Sequence, residues 1–310
     1  CVDEEWFKPN QYGLKRIGEH RWRFLHESLQ ALDVALKECG QRLCILLGSP
    51  VDLVSNIIEQ YNISAVFSNS QTGFYENDNW KSLKDKYSTL DFTSVESSTL
   101  FANQQLTHID EFPKTFSKFR HHVDSIDYKI DPLINMLEQT ELNLPAALSV
   151  ESSRLPSVDN SSPKPSFVGG EKSALEHLKT YLLTTAPSIY VDTRNELEGW
   201  SLSTKLSPWL ANGCLSPRKV VASLLEYERQ FGENKSTRWI YFELLWREYF
   251  QWYAYHYGKR MFAYKGINNK KLLTSFYPQR FKQWCHGKTP YSIVNACMHQ
   301  LNKTGYLSNR

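Results

Sequence analysis

The spacing of hydrophobic and polar positions changes along the chain, and the change divides it into two parts. In the first 95 residues, short apolar runs alternate with segments of helical spacing. The apolar runs lie near 43–47, 63–67 and 90–95, and the helical segments lie near 19–39, 51–61 and 79–87. Strands that alternate with helices are typical of a parallel sheet with right-handed crossovers. We therefore predict an α/β region, followed from Phe167 onward by a region in which nearly every periodic segment is helical, beginning with a helix near 172–184.

The longest helical segment runs from Ser236 to Tyr257, and neither Gly nor Pro interrupts it. Ser236 and Thr237 are the candidates for its N-cap. One face carries Glu243 and Arg247 among the aromatic side chains of Trp239, Phe242, Trp246, Phe250 and Tyr253. This face is either an amphipathic core surface with an i,i+4 ion pair, or a wall that stacks on a planar ligand while its charged groups bind polar atoms.

A second candidate site is the polar loop at 203–207, which precedes a helix beginning near Pro208. Hydroxyl groups, backbone N–H groups and a helix N-terminus together bind anions, and Lys205 adds a positive charge. An ordinary Ser-rich N-cap has the same composition, so spacing alone leaves both interpretations open.

Composition narrows the classes of function. The 310 residues include 36 Lys and Arg against 33 Asp and Glu, which permits a local basic groove but not a polycationic tail. The aromatic content of 14% makes planar ligands plausible. Six cysteines without metal-ligand spacing predict free thiols, no metal site and a reducing compartment such as the cytoplasm. We expect no membrane span, and a chain that begins at Cys1 leaves organelle targeting open.

Three stretches resemble motifs of the photolyase and cryptochrome family, in the order in which the family has them. STKLSPWLANGCLSPR at 203–218 resembles the family's flavin-phosphate segment, and FELLWRE in the long helix resembles its flavin-facing helix. MHQLNKTGYLSNR at 298–310 resembles the segment that ends in the family's substrate-side Asn-Arg. The FELL spelling resembles the cryptochrome-DASH branch of the family.

The resemblance implies a fold of the α/β plus all-α class. It predicts an N-terminal Rossmann-like antenna domain at 1–125, an interdomain linker at 126–166 and a helical FAD-binding domain at 167–310. Against the family pattern, the first strands of the sheet and the last flavin-binding helices are missing. We therefore interpret the chain as truncated at both ends.

The same resemblance assigns roles to individual residues. Against the flavin it places Tyr190, Arg247 and the loop residues Ser203, Thr204, Lys205, Leu206 and Ser207. As catalytic groups it places Glu243 and Asn309, which recognise a damaged base pair, and Trp246, which packs against that pair. Phe250 and Arg310 complete the expected DNA-binding set. For the dipeptide of Asn309 and Arg310, a frayed and charged terminus is the alternative.

The implied function is light-driven electron transfer from FAD to cyclobutane pyrimidine dimers, mainly in single-stranded DNA, or blue-light photoreception. Methenyltetrahydrofolate is a candidate antenna pigment, and we expect a monomer. The alternative function is that of a truncated, non-catalytic remnant that binds nucleic acid with weak or no FAD. The chain shows no Ser/His/Asp order, GxSxG or paired-carboxylate motif, so hydrolysis is not indicated.

Overall fold

The N-terminal part combines three helices with a small parallel sheet. The computed structural model describes residues 1–101, 112–125, 130, 150–158, 167–197 and 199–308. In its N-terminal part the helices span Glu19–Glu38 (α1), Pro50–Tyr61 (α2) and Phe74–Lys86 (α3), and the strands span Ala65–Asn69 (β1) and Asp91–Val95 (β2). The strands pair in parallel, with Ala65 opposite Asp91. This β1–α3–β2 unit confirms the predicted α/β character of the region.

The apolar run at 43–47 is not a strand, so that prediction is wrong. Among the described residues its ladder contact is a single bridge between Val2 and Leu47. On another side, the N–H of Ser153 donates to the carbonyl of Ile45 at 2.8 Å. The backbone of this run is therefore satisfied by two separate loops rather than by a neighbouring strand.

Two other boundaries differ from the prediction. The helix expected near 79–87 begins earlier, at Phe74. The strand expected at 63–67 begins at Ala65, because Asn62 ends α2 in a left-handed conformation with φ at 51°. The N–H of Ile63 still donates to the carbonyl of Ile58 at 3.3 Å, which delays the start of the strand.

The remaining part of the chain is helical, as predicted. Its α-helices span Phe116–Ser125 (α4), Glu171–Leu182 (α5), Tyr190–Thr193 (α6), Ser207–Asn212 (α7), Pro217–Phe231 (α8), Lys235–Tyr257 (α9), Pro278–Cys285 (α10) and Ser292–Thr304 (α11). Short 3₁₀ turns span Glu4–Phe7, Ala186–Ile189 and Gly258–Phe262. Together the two parts confirm the predicted fold class.

The start of α9 corrects the predicted cap. The N-cap is Asn234, whose side chain accepts from the N–H of Ser236 at 2.8 Å and from that of Thr237 at 3.0 Å. Thr237 completes a capping box, since its hydroxyl accepts from the N–H of Asn234 at 3.1 Å. The hydroxyl of Ser236 instead accepts from the N–H of Val191, which ties α6 to the start of α9. The helix ends at Gly258, whose φ is 51°.

The main hydrophobic core joins both parts of the chain. Phe24 of α1 and Leu100 and Phe101, which follow β2, share one buried cluster with Trp209 and Leu245 of the helical part. The same cluster contains Phe112, Phe116, Phe119 and Val123 from the neighbourhood of α4. Of the predicted linker 126–166, the structure describes 130 and 150–158, so the predicted domain boundaries stay a prediction. In the described part of the chain, none of the six cysteines forms a disulfide bond.

Candidate functional site

A cavity of about 450 Å³ lies between the loop at 203–207, α9 and the segment at 306–308. Its volume is in the range of small-molecule and cofactor sites. The predicted site residues that line it are Tyr190, Ser203, Thr204, Lys205, Leu206, Ser207, Glu243 and Arg247. The structure therefore brings together the two stretches that the sequence analysis treats as candidate sites.

The loop at 203–207 presents a positive charge to the cavity. Lys205 has a φ of 53°, in the left-handed region. Its ammonium lies 5.1 Å from the centroid of the Tyr306 ring, and burial lowers the pKa of Lys205. Behind the loop, a ring nitrogen of His177 lies 2.9 Å from the carbonyl oxygen of Thr204. The following helix α7 is only six residues long, so hydroxyls, backbone N–H groups and Lys205 are the main anion-binding groups here.

Glu243 forms its ion pair with Arg194 of the loop that follows α6. The same carboxylate oxygen accepts from the indole N–H of Trp239 at 3.0 Å, and the Arg194 guanidinium lies 4.7 Å from the centroid of that indole. Arg194 also lines the cavity. Arg194 is not among the site residues predicted from the sequence. Its only sequence signal is its position four residues after Tyr190, at the end of a short helical turn.

Arg247 uses its guanidinium to hold two backbone carbonyls instead of pairing with Glu243. One terminal nitrogen donates to the carbonyl of Ser98 at 2.5 Å, and the other donates to the carbonyl of Leu210 at 3.2 Å. Burial lowers the pKa of Arg247, although an arginine stays charged. The i,i+4 ion pair allowed by the sequence is therefore replaced by contacts with two distant segments, and the guanidinium is fixed at the cavity wall.

Glu248 is a buried acid that the sequence analysis missed. Its residue is 0% exposed, and its carboxylate accepts from the N–H groups of Leu100 and Phe101 and from the indole N–H of Trp252. Burial raises the pKa of Glu248 to about 7, while the three N–H donors and Arg247 oppose that rise. The sequence signal for such a buried acid is a single carboxylate on a face of α9 that is otherwise apolar.

The remaining predicted residues lie elsewhere. Trp246 stacks on Phe116, with ring centroids 3.7 Å apart and planes 12° apart, and it also neighbours the rings of Phe250 at 5.8 Å and Tyr249 at 6.2 Å. Phe250 is 50% exposed. Neither Trp246 nor Phe250 lines the cavity. Asn309 and Arg310 lie outside the described residues.

The basic and acidic residues are unevenly distributed along the chain. From Tyr249 to Arg310 the sequence has ten Lys and Arg and no Asp or Glu. The part before it has 26 Lys and Arg against 33 Asp and Glu. Exposed aromatic side chains accompany the basic stretch: Phe262, Tyr264, Phe276, Tyr277, Trp284 and Tyr291. Within the described ranges, no helix is both long and apolar enough to cross a membrane.

The sequence of this chain is similar to those of known photolyases and cryptochromes. The family model for DNA photolyase matches residues 1–137, and the model for the FAD binding domain of DNA photolyase matches residues 239–310. The cryptochrome DASH of Idiomarina loihiensis is 42% identical over 315 residues, which cover 100% of this chain and 68% of that protein. The cryptochrome DASH of Vibrio parahaemolyticus is 42% identical over 300 residues, which cover 95% of this chain and 65% of that protein.

A solved structure shows the same similarity in three dimensions. The Synechocystis sp. PCC6803 cryptochrome matches with a TM-score of 0.90 and 31% sequence identity. The match covers 100% of this chain and 66% of that one. The chain thus spans about two thirds of the length of these relatives.

Proposed function

Because this chain belongs to the photolyase and cryptochrome family, we propose that it is a cryptochrome-DASH-like flavoprotein that splits cyclobutane pyrimidine dimers in DNA under blue light. The observation that carries the proposal is the cavity that joins the loop at 203–207 to Glu243 and Arg247 of α9. One wall of this cavity suits a phosphate, and another carries a carboxylate and a guanidinium beside aromatic rings.

The residues of the cavity fit FAD, the cofactor of the matched family domain. Lys205 is half-buried, and its ammonium lies against the ring of Tyr306. No carboxylate of the described residues forms an ion pair with it. A desolvated ammonium beside the hydroxyls of Ser203 and Thr204 is suited to a pyrophosphate. Tyr190 and Arg247 then lie where an aromatic ring and a fixed guanidinium can contact the rest of the cofactor.

Bound FAD would supply the light absorption and the electron transfer of the reaction. The chain's own residues then have positioning roles. Arg194 and the Trp239 indole orient the carboxylate of Glu243 at the cavity, where it can accept a hydrogen bond from a base edge. Phe250 is exposed and stacked on Trp246, which also stacks on the buried Phe116, so a base would meet the Phe250 ring first. Asn309 and Arg310 stay part of the proposed substrate-binding set.

The distribution of charge supports a nucleic acid as the substrate. A stretch of 62 residues without Asp or Glu attracts phosphates, although the whole chain has a formal charge of only +3. Its exposed aromatic side chains suit unpaired bases, which stack on such rings. We therefore propose a preference for single-stranded DNA, in which a dimer reaches the site at a smaller unstacking cost.

The first experiment is the visible absorption spectrum of the purified chain, with the chromophore identified after denaturation. We expect FAD, followed by light-dependent repair of an oligonucleotide that contains a pyrimidine dimer. A chain that binds FAD but repairs no dimer would favour blue-light photoreception. A chain that binds DNA but no FAD, even after reconstitution, would contradict the proposal and favour the non-catalytic remnant.

The other proposed properties need measurements of their own. A methenyltetrahydrofolate antenna would appear as a second released chromophore with its own absorption band. A monomer would show the mass of one 36.1 kDa chain in solution. A reducing compartment accords with six cysteines that form no disulfide bond among the described residues, and the location in a cell would be checked by tagging the protein.

A further inference from the structure

We propose that Glu248 is a positioning residue for the cavity, although it does not line it. It fixes the buried segment at 98–101 against α9, and the Ser98 carbonyl of that segment in turn holds the Arg247 guanidinium at the cavity wall. This inference rests on the flavin site proposed above. Glu248 would belong to that site although its side chain does not contact the cavity.

Both oxygens of Glu248 are used by distant backbone groups. One accepts from the N–H of Leu100 at 2.8 Å, and the other accepts from the N–H of Phe101 at 3.2 Å. The indole N–H of Trp252, one helical turn further along α9, donates to the second oxygen at 2.7 Å and fixes the side chain's orientation. A carboxylate with no exposed surface needs such donors, and here three N–H groups bind its two oxygens.

The carbonyls of the same segment are held by arginines. The Ser98 carbonyl accepts from Arg247, and the Thr99 carbonyl accepts from the Nε–H of Arg218 at 2.9 Å. Thr99, Leu100 and Phe101 are at most 1% exposed. The segment thus gives two N–H groups to the carboxyl group of Glu248 and two carbonyls to guanidinium groups, so it cannot rotate without breaking both sets of bonds.

The geometry connects Glu248 to the cavity through a short path. Leu100, whose N–H binds Glu248, is two residues from Ser98, whose carbonyl binds Arg247. The second contact of Arg247, with the Leu210 carbonyl, lies in α7 directly after the loop at 203–207. A shift of the segment would release one of the two carbonyl contacts that hold the guanidinium, and the cavity would lose a fixed group.

Glu248→Gln tests this path, because it keeps the size of the side chain but replaces one acceptor oxygen by an NH₂ group. That group would face a backbone N–H of Leu100 or Phe101, and two donors cannot bond to each other. We expect the dissociation constant for FAD, measured by fluorescence titration, to rise about tenfold. Glu226→Gln is the matched control, since it removes an exposed carboxylate from α8 and should leave FAD affinity unchanged.

A double-mutant cycle separates positioning from a general loss of stability. If Glu248 acts through Arg247, Glu248→Gln in an Arg247→Ala background should weaken FAD binding no further. Equal and additive losses in the two backgrounds would overturn the proposal, and so would unchanged FAD affinity in the single variant. Should Glu248→Gln fail to fold, Glu248→Asp keeps the charge with a shorter reach, and the same cycle is run with that variant.

A second readout does not depend on FAD. The NMR signal of the Arg247 Nη1–H that binds the Ser98 carbonyl should be protected from exchange in the unaltered protein and should lose that protection in Glu248→Gln. If the unaltered protein binds no FAD, the proposed function fails, and this signal still decides the role of Glu248. An Arg247 signal that is the same in both proteins would rule the role out.

Discussion

Arg194 and Glu243 form an ion pair at the cavity, 49 residues apart in the chain. The Arg194 side chain is 14% exposed and the Glu243 side chain is 33% exposed, so the pair is partly buried. Trp239 contacts both partners, with its N–H on the carboxylate and its ring under the guanidinium. The acid proposed to recognise substrate is therefore oriented before any substrate binds, and its orientation depends on a residue outside α9.

Loss of Arg194 should destabilise the protein as well as the site. We expect Arg194→Met to lower the free energy of unfolding by about 2 kcal/mol, because Glu243 loses a charged hydrogen-bond donor in a partly buried position. Urea denaturation followed by circular dichroism measures the change. Arg229→Met is the control, since the Arg229 pair with Glu226 is exposed and should contribute less than about 1 kcal/mol. Equal losses in both variants would show that the partly buried pair contributes no more to stability than the exposed one.

Glu243→Gln should separate cofactor binding from repair. The amide is similar in size, so we expect the FAD content and the flavin spectrum to stay unchanged. The rate of dimer splitting should fall about tenfold or more, because the charged acceptor for the substrate is lost. Repair assays on a single-stranded oligonucleotide with one dimer measure this rate. Repair as fast as in the unaltered protein would exclude Glu243 from substrate recognition.

Arg247→Ala should reduce the amount of FAD retained after gel filtration. The change removes the guanidinium at the cavity wall and leaves the carbonyls of Ser98 and Leu210 without their donor. Arg247→Lys is the informative comparison. It keeps the charge, but one ammonium cannot reproduce the fixed two-nitrogen geometry, so we expect intermediate retention. Full flavin occupancy in Arg247→Ala would show that this side chain does not hold the cofactor.

The buried Glu248 should make stability depend on pH. Burial raises the pKa of its carboxyl from 4.5 to about 7, so the folded protein keeps a proton that the unfolded chain releases between those values. The resulting stabilisation is complete below the lower value and is lost as the pH rises through the higher one. We expect the free energy of unfolding, relative to Glu248→Gln, to fall by about 3 kcal/mol between about pH 4 and about pH 8.

Denaturant titrations of both proteins at several pH values test this dependence. Their difference isolates Glu248 from the other groups that titrate in the same range. A flat difference would show that the three N–H donors and Arg247 cancel the effect of burial on the pKa, and a difference that grows as the pH rises would show that they outweigh it.

Local patterns could predict most of the architecture and the two sides of the cavity. Helical spacing without Gly or Pro predicts α9 to within one residue of its observed ends. The predicted N-cap of α9 is wrong because Ser236 and Thr237 are also residue types that cap helices well, while the observed cap, Asn234, lies two residues earlier. The strand at 43–47 was wrong because an apolar run shows that a segment is buried, while a ladder also needs a neighbouring strand.

The partners of the charged residues could not be predicted in the same way. The spacing within α9 predicts an ion pair between Glu243 and Arg247. In the structure Glu243 pairs with Arg194 instead. Arg247 donates to the carbonyls of Ser98 and Leu210. Contacts between residues 49 or 149 positions apart depend on tertiary packing, and periodicity has no information about them. Resemblance to a family identified the cavity residues without showing what holds them in place.

The core shared between the two parts of the chain has a consequence for engineering. Phe101 shares a buried cluster with residues of the helical part, and Phe24 packs near Trp209. Cutting the chain between α4 and α5 would expose these faces on both fragments, so neither half should be soluble on its own. Chimeras that exchange one half with that of a relative would need matched residues across this contact. Substitutions in α9 that alter this shared core would therefore need compensating changes in the N-terminal part of the chain.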